Sequence, residues 1–425
     1  MNRDGKNEQN NPARKGIKPE LLIPASSLEV LQVAVMYGAD AVYIGGEHYG
    51  LRAKAKNFSM EEMGAGIEFA HARGKKVYVT ANITAHDADL DGVEKYFKEL
   101  SGIHPDALII SDPGVFEIAK ETVPDMDIHI STQANNVNYR TCLFWKKQGV
   151  KRIVTARELS LAEIADIRAH IPDGLELETF VHGAMCISYS GRCLLSNYFT
   201  GRDANLGACT HPCRWKYYLM EETRPGEYLP VFENDRGTYI FNSRDLCMVE
   251  HIPELVGAGI DSFKVEGRMK TALYVAAVAR TYRRAIDDYF VSEELYRENL
   301  SWYRGEIGKC TYRQYTTGFF FGKPGSDAQI YDNNVYIKDY TYLGIVYDVK
   351  DGWCKMQQRN KFCVGDAAEA MKPSGENVAV KVIAIRDSEG NAMESCPHPQ
   401  QEIFVRFDKE LSAFDLVRQE KESGG

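Results

Sequence analysis

From residue 19 onward, apolar positions follow two alternating patterns. Short, almost continuously apolar runs alternate with longer stretches that carry apolar residues at helical spacing, such as residues 59–72. The short runs predict eight buried strands: Leu21–Ala25, Val42–Gly46, Val77–Asn82, Ala107–Ser111, Ile128–Thr132, Arg152–Ala156, Leu177–Gly183 and Phe263–Gly267. Buried strands that alternate with helices are typical of a parallel sheet covered on both faces. Eight such units favour an α/β fold of the (β/α)8 TIM-like barrel type, with an open doubly wound sheet as the alternative.

The alternation of strand and helix patterns is interrupted by one long insertion, and near the C-terminus a pattern of strands alone replaces it. Residues 184–248 form a long insertion between the seventh and eighth strands that is rich in Cys, Arg, Gly and Tyr. A long loop that follows a barrel strand lies on the face where barrel active sites are built. After further helical stretches, residues 318–412 show alternating β patterns and turns, which predict a small all-β barrel domain. We expect a disordered tail over residues 1–18, the TIM-like barrel over 19–317, and a C-terminal tail over 413–425.

Composition narrows the class of protein. The 425 residues include 44% hydrophobic and 26% charged residues, an ordinary globular composition that excludes disorder over most of the chain. The net charge is -9. No apolar run approaches the roughly 18 residues of a membrane span, and the polar N-terminus lacks the apolar segment of a signal peptide. We therefore expect a soluble, cytoplasmic protein with no membrane partner. Its ten cysteines should then be reduced, so that a cluster of them indicates metal or redox chemistry.

Five cysteines fall within the insertion. Cys186, Cys193, Cys209, Cys213 and Cys247 follow the spacing C-x6-C-x15-C-x3-C-x33-C. Zinc sites usually contain close pairs of cysteines, and only Cys209 and Cys213 are that close. Dispersed thiolates suit an iron–sulfur cluster better, because the ligands of a cluster lie farther apart. Small core residues remain the alternative interpretation of these cysteines.

Polar residues follow the predicted strands at their carboxyl ends. They are Asn82, Asp112, Gln133, Arg157, His182, Glu266 and Arg268. In a closed barrel all of them would face one mouth, beside the cysteine-rich insertion. Each can also be an ordinary loop or cap residue, and that is our expectation for Asp112. His182, Glu266 and Arg268 are the candidates for a functional role, with His182 and Glu266 as candidate catalytic residues.

Several segments resemble peptidase family U32, the collagenase-like peptidases. The segments are ETFVHGAMCISYSGRCLLS (178–196), GAC (207–209), CRW (213–215), NSRDLC (242–247) and FKVEGR (263–268). The resemblance covers nearly the whole chain after residue 19. Despite the family name, it implies an oxygen-independent hydroxylase with a [4Fe–4S] cluster, acting on tRNA, ribosomal RNA or the ubiquinone ring. It places the cluster ligands on Cys186, Cys193, Cys209 and Cys247, with Cys213 as an alternative to Cys209.

The β-rich second domain selects a branch of the family. Ubiquinone-type relatives end soon after the first domain, whereas relatives that hydroxylate tRNA continue as this chain does. The resemblance therefore implies prephenate-dependent 5-hydroxylation of the wobble uridine of tRNA, with ribosomal RNA as an alternative substrate. Arg192, Arg214 and Arg268 are candidates for binding the prephenate carboxylates, because guanidinium groups pair bidentately with carboxylates. A homo-oligomer, or a hetero-oligomer with a related subunit, stays open.

Peptidase activity is the alternative function. The sequence contains neither HExxH nor GxSxG, and the nearest approach to the second motif, Tyr189-Ser190-Gly191, lacks the first glycine. A Cys/His pair made of His182 and Cys186 stays open as a protease arrangement. It conflicts with a cluster on Cys186, because a thiolate bound to iron is not a free nucleophile.

Overall fold

The structure is a computed structural model that describes residues 16–50, 57–185, 193, 195–202, 204, 209–210, 212, 218–219, 229–230, 242–322, 329–330, 337–398 and 400–421. The strands are β1 (Glu20–Pro24), β2 (Ala41–Gly45), β3 (Lys76–Ala81), β4 (Ala107–Ile110), β5 (Asp127–Ile130), β6 (Arg152–Val154), β7 (Glu176–Ala184), β8 (Tyr218–Leu219), β9 (Leu229–Pro230), β10 (Asn242–Ser243), β11 (Asp245–Cys247), β12 (Ser262–Val265), β13 (Tyr315–Thr316), β14 (Gln329–Ile330), β15 (Tyr340–Lys350), β16 (Trp353–Gln358), β17 (Ala367–Met371), β18 (Asn377–Arg386), β19 (Ala392–Met393), β20 (Glu402–Phe407) and β21 (Leu416–Glu420).

The helices are α1 (Leu28–Met36), α2 (Met60–His71), α3 (Val93–Gly102), α4 (Pro113–Thr122), α5 (Tyr139–Lys147), α6 (Leu161–His170), α7 (Leu195–Thr200), α8 (Ile252–Gly257), α9 (Ala272–Val291), α10 (Glu293–Glu298) and α11 (Leu300–Gly308). Several begin at side chains that accept a backbone N–H of the first turn. Ser59 and Ser160 form capping boxes with Glu62 and Glu163, and Asp112 accepts from Gly114 and Val115. The expectation that Asp112 caps a helix is confirmed.

Eight parallel strands close the predicted barrel. Neighbours in the order β1 to β7 pair in parallel, and β12 pairs in parallel with both β7 and β1. This double pairing closes the sheet, so the TIM-like barrel is confirmed and the open doubly wound sheet is wrong. The strands are almost wholly buried, because helices cover the outside and side chains fill the inside.

The insertion contains regular structure that its composition did not indicate. Helix α7 lies within it, and β11 near its end pairs antiparallel with β7, placing Cys247 opposite His182. Strand β13 then pairs in parallel with β11. The barrel sheet is therefore extended by two short strands at the β7 corner, beside the carboxyl ends of the parallel strands.

The second domain is an antiparallel barrel. Its strand order is β17-β21-β15-β16-β20-β18, and β17 also pairs with β18, so six strands close on themselves while β19 adds to β18. Buried and exposed residues alternate along β16, β18 and β20, as expected for strands with one face on the core. The small all-β barrel is confirmed.

The C-terminal tail expected over residues 413–425 is wrong for its first half. Strand β21 lies inside that span and pairs with both β15 and β17. Chain termini are commonly frayed, but here Arg418 is fully buried and forms ion pairs with Glu306 and Glu369. A buried arginine of this kind is tolerated because carboxylates neutralise it.

The two domains are in direct contact through α1, α9 and α11. The hydroxyl of Tyr37 donates to the carbonyl oxygens of Met371 (2.6 Å) and Phe414 (2.9 Å). Arg280 of α9 donates to the carbonyl oxygens of Lys372 and Glu376. Within the described ranges, every helix is too short or too polar to span a lipid bilayer.

Candidate functional site

An arginine–carboxylate pair lies at the mouth of the barrel, between the ends of β6 and β12. Arg157 follows β6 by three residues, and its guanidinium donates to Glu266 Oε2 at 2.9 Å and to the carbonyl oxygen of Ala184 at 2.8 Å. The same guanidinium lies over the ring of Phe180, 3.9 Å from its centroid. These three contacts fix Arg157 in one orientation, with its guanidinium paired to the Glu266 carboxylate.

Gly183 permits the close approach of β7 and the loop after β12. Its φ is +108°, and a Cβ at this position would lie 2.4 Å from the carbonyl oxygen of Glu266. That carbonyl also accepts from the hydroxyl of Tyr274 at 3.0 Å. The backbone of Glu266 is therefore positioned from two sides, so that its carboxylate points to Arg157.

Arg268 crosses the mouth to the opposite side. It is 8% exposed, and its Nη1 donates to the hydroxyl of Thr80 at 3.1 Å, near the end of β3. A Cβ on Gly45, the last residue of β2, would lie 2.4 Å from the same nitrogen. The absence of a side chain at residue 45 thus makes room for the guanidinium. The mouth holds one arginine paired with a carboxylate and a second that contacts a hydroxyl.

His182 lies in an aromatic enclosure rather than in the open mouth. Its side chain is 1% exposed, and the rings of Tyr274, Tyr282 and Tyr315 have centroids 5.5 to 5.9 Å from its own. Burial, with a smaller contribution from Lys270, lowers the pKa of His182 to about 3. The imidazole is therefore neutral at physiological pH, and its burial favours a positioning role over direct proton exchange with a substrate.

Tyr282 connects the enclosure to the cysteine-rich insertion. Its hydroxyl donates to the carbonyl oxygen of Val181 at 2.8 Å and lies 3.4 Å from Nδ1 of His182 and 4.0 Å from Sγ of Cys247. Burial raises the pKa of the Cys247 thiol to about 12. A thiol in this environment ionises readily only beside a strong positive charge, such as a bound metal.

The cysteines of the insertion are the candidate ligands of an iron–sulfur cluster. Cys247 and Cys193 are half-buried and Cys209 is exposed, while Cys186 and Cys213 lie outside the described residues. Across the part of the chain that the structure describes, no three His, Cys, Asp or Glu side chains are grouped closely enough to hold a metal ion. Thiols are the donors that a cluster requires. The donor types fit, and the described cysteines by themselves do not complete a site.

Two of the remaining predicted mouth residues, Asn82 and Gln133, lie at the ends of β3 and β5. Asn82 donates to the hydroxyl of Ser131 at 3.2 Å, linking the ends of β3 and β5. Gln133 lies in a short 3-10 turn after β5. Arg192 and Arg214, the other predicted carboxylate-binding residues, lie outside the described residues. The structure therefore brings Arg157 and Glu266 together and leaves Arg268 on the far side of the mouth.

Thr80 and the tyrosines of α9 belong to the site but were not predicted from the sequence. Tyr274 and Tyr282 are eight residues apart, which places them on one helix face toward β7 and β12. The signal was available in the helical spacing of the two tyrosines. What it could not show is that this face meets His182, because that contact depends on how α9 packs on the barrel.

Beneath the mouth, the barrel interior holds a layer of paired charges. Arg152 contacts Glu20 at 2.6 Å and Glu178 at 2.9 Å, and Lys264 contacts Glu178 at 2.6 Å. His129 is buried next to this layer, and burial together with the nearby cations lowers its pKa well below the usual value. The ion pairs neutralise charges that would otherwise be costly to bury.

Comparison with known proteins decides the family. The family model described as "Peptidase family U32" matches residues 26–330, and that described as "Peptidase family U32 C-terminal domain" matches residues 338–418. The chain belongs to peptidase family U32. Both models apply to this U32 chain in the order in which its two barrels occur, so the resemblance expected from the motifs is confirmed.

The relatives of this U32 chain include RNA-modifying proteins. It is 40% identical over 406 residues to "tRNA hydroxylation protein P1" of Bacillus subtilis (strain 168), covering 95% of each chain. It is 38% identical over 435 residues to "tRNA hydroxylation protein P" of Escherichia coli (strain K12), covering 93% of this chain and 95% of that protein. It is 31% identical to the "23S rRNA 5-hydroxycytidine C2501 synthase" of Escherichia coli (strain K12), covering 84% of this chain and 55% of that protein.

Proposed function

We propose that this chain is an RNA-hydroxylating enzyme that carries out oxygen-independent, prephenate-dependent 5-hydroxylation of the wobble uridine of tRNA. The observation that carries the proposal is the similarity to tRNA hydroxylation protein P1 over 95% of both chains, which includes the second domain. The end of the barrel that holds Arg157 and Arg268 also carries exposed apolar side chains: Val137 after β5 is 40% exposed and Met269 after β12 is 60% exposed. Contact with an unstacked base and with anionic groups requires both kinds of surface.

We propose a [4Fe–4S] cluster at the insertion, held by Cys186, Cys193, Cys209 and Cys247. When bound, such a cluster would supply iron chemistry beside the barrel mouth. The chain contributes the position of Cys247, because β11 is paired to β7 and the Tyr282 hydroxyl lies beside the sulfur. The tyrosine enclosure limits the access of water to this corner of the mouth.

The cluster proposal is tested by iron content. Protein purified without oxygen should be brown and should lose iron when any one of the four cysteines is changed to Ala. Cys213→Ala is the matched control inside the insertion and should keep the iron. Stoichiometric zinc in a colourless anaerobic preparation would refute the cluster, and loss of iron from Cys213→Ala but not from Cys209→Ala would reassign the third ligand.

We propose that Arg268 binds a carboxylate of prephenate, together with Arg192 and Arg214. Arg268 lies at the barrel mouth, and its Nη1 donates to the Thr80 hydroxyl at 3.1 Å. Lysine keeps the charge but cannot pair bidentately with a carboxylate. Arg268→Lys should therefore raise the prephenate concentration needed for hydroxylation while leaving the iron content unchanged. An unchanged prephenate requirement in all three Arg→Lys variants would remove these residues from the site.

No contact among the described residues favours the peptidase alternative. His182 is buried and neutral, and the partner that the protease arrangement would need, Cys186, lies outside the described residues. Hydroxylation is tested by mass spectrometry of tRNA and ribosomal RNA nucleosides from a strain that lacks this gene and grows without oxygen. Loss of 5-hydroxyuridine from tRNA alone supports the proposal. Loss confined to a ribosomal cytidine, or intact RNA with a defect in peptide turnover, would favour an alternative.

A further inference from the structure

Two arginines converge on one tryptophan on the outer face of the second domain. The guanidinium carbon of Arg386 lies 4.1 Å from the centroid of the Trp353 ring, and that of Arg406 lies 4.8 Å from it. Both arginines are exposed, and the tryptophan is half-buried. A guanidinium that rests on an aromatic face keeps its N–H edges available for other acceptors.

The arrangement is built by three adjacent strands. Trp353 begins β16, Arg406 lies in β20 and Arg386 ends β18, and β20 pairs with both β16 and β18. The neighbouring residues Cys354, Val405 and Ile385 point into the core of the domain and are buried. The alternation of side chains along a strand therefore sends Trp353, Arg386 and Arg406 to the solvent side.

Neither arginine is neutralised by a carboxylate from the described part of the chain. Arg406 donates to the carbonyl oxygen of Asp351 at 3.0 Å, and the described contacts of Arg386 are confined to the Trp353 ring. By contrast, Lys355 on the same face is paired with Glu402 at 3.0 Å. Two cations held side by side without a carboxylate complement a polyanion, and phosphate oxygens accept well from guanidinium edges.

The strand pair β15–β16 connects the second domain to the end of the barrel that holds the mouth. Arg359, directly after β16, pairs with Glu29 at 2.7 Å, and Tyr347 of β15 contacts the same carboxylate. Glu29 is in the first turn of α1, which follows the carboxyl end of β1. Trp353 lies six residues from Arg359, so it is within roughly 20 Å of this contact.

We propose that Trp353, Arg386 and Arg406, the arginine–tryptophan surface, bind the phosphate backbone of the substrate RNA outside the barrel mouth. Trp353 acts as a positioning residue that holds the two guanidinium groups, and the arginines contact the phosphates. The inference rests on the proposed RNA substrate and assigns the second domain a part in binding it.

The experiment measures binding of full-length protein to a fluorescently labelled tRNA transcript by polarisation, between about 50 and 300 mM KCl. The double variant Arg386→Ala/Arg406→Ala should bind about 10-fold more weakly near 0.15 M salt, with the salt slope smaller by about 1.4 to 1.8. Trp353→Ala should show a partial loss of affinity. Arg386→Lys/Arg406→Lys should keep most of the slope, because the charges remain.

Arg73→Ala is the matched control. Arg73 is also an exposed arginine over an aromatic ring, 3.6 Å from the centroid of Phe69, but it follows the C-terminus of α2 at the other end of the barrel. This variant should bind like wild type, and thermal unfolding should show that all variants are folded.

The outcomes separate the two proposals. If wild-type protein binds tRNA with a steep salt dependence and the double variant binds equally well with the same slope, the arginine–tryptophan surface is refuted and the proposed function stands. If the Arg73→Ala control weakens binding as much as the double variant, the surface is refuted as a specific site. If wild-type protein shows no salt-dependent binding to tRNA, both proposals fail.

Discussion

Glu306 is the centre of a buried ionic cluster between the two domains, and its neutralisation should destabilise the protein. The carboxylate pairs with Arg280 at 3.0 Å, forms an ion pair with Arg418 and accepts from the amide of Asn377 at 2.6 Å. Glu306 and Arg418 are almost fully buried, as is Arg280. Burial acts to raise the pKa of Glu306, but the two arginines outweigh it and the pKa is lowered.

The size of the loss in unfolding free energy depends on the partners that Arg280 and Arg418 keep in the variant. In Glu306→Gln, Arg418 still contacts the carboxylate of Glu369. The other acceptors of Arg280 among the described residues are neutral oxygens, those of Lys372, Glu376 and Asn377. One buried guanidinium is therefore left without a counter-charge. Breaking a buried pair from one side costs about 3–5 kcal/mol, and we expect the lower end, about 3 kcal/mol, because the hydrogen bonds remain.

The assay is urea unfolding at neutral pH, followed by circular dichroism in Glu306→Gln and in a matched control. The control, Glu402→Gln, removes the same charge from the exposed pair with Lys355, where the loss should stay below about 1 kcal/mol. The prediction is a free energy of unfolding lower by about 3 kcal/mol for Glu306→Gln at an unchanged slope against urea. Equal, small losses in the two variants would refute the view that the cluster is buried between the domains.

Two further predictions concern the barrel. His129 is buried and its pKa is lowered well below the usual value of 6.5. Below pH 6.5 the unfolded state therefore binds a proton that the folded state does not, and the free energy of unfolding falls as the pH is lowered. His129→Gln should reduce the loss of unfolding free energy between pH 6 and pH 5 by about 1.2 kcal/mol, and equal slopes against pH in the two proteins would contradict this. Gly45→Ala should displace the Arg268 guanidinium, since the new Cβ would lie 2.4 Å from Nη1. Hydroxylation should fall while iron content and thermal unfolding remain near wild type, and full activity would contradict the placement of Arg268.

The barrel strands were predictable because their burial on both faces makes them almost continuously apolar. All eight predicted strands overlap strands of the closed barrel, from Leu21–Ala25 to Phe263–Gly267. Strand β11 was not predicted, because three residues within a Cys- and Arg-rich insertion carry no periodic signal. Strand β21 was missed because the charge of Arg418 is neutralised by residues distant in sequence, Glu306 and Glu369.

The candidate site was predictable as a location but not as an arrangement. The rule that the carboxyl ends of parallel strands meet at one mouth placed Arg157, Glu266 and Arg268 on the same end of the barrel. It could not show that Arg157 pairs with Glu266, or that His182 turns toward Tyr282 instead of the open mouth. Those contacts depend on three-dimensional packing of α9 and on the room left by Gly45 and by Gly183, the second of which has a positive φ.

The central claim, hydroxylation of the wobble uridine without oxygen, is tested most directly on anticodon fragments of tRNA. A strain lacking this gene is grown without oxygen and complemented with the wild-type chain or with Cys247→Ala, and the fragments are sequenced by mass spectrometry. We predict one additional oxygen atom at the wobble uridine with the wild-type chain and none with the variant or the empty vector. An unmodified wobble uridine in the wild-type complemented strain, or equal hydroxylation in all three strains, would contradict the account.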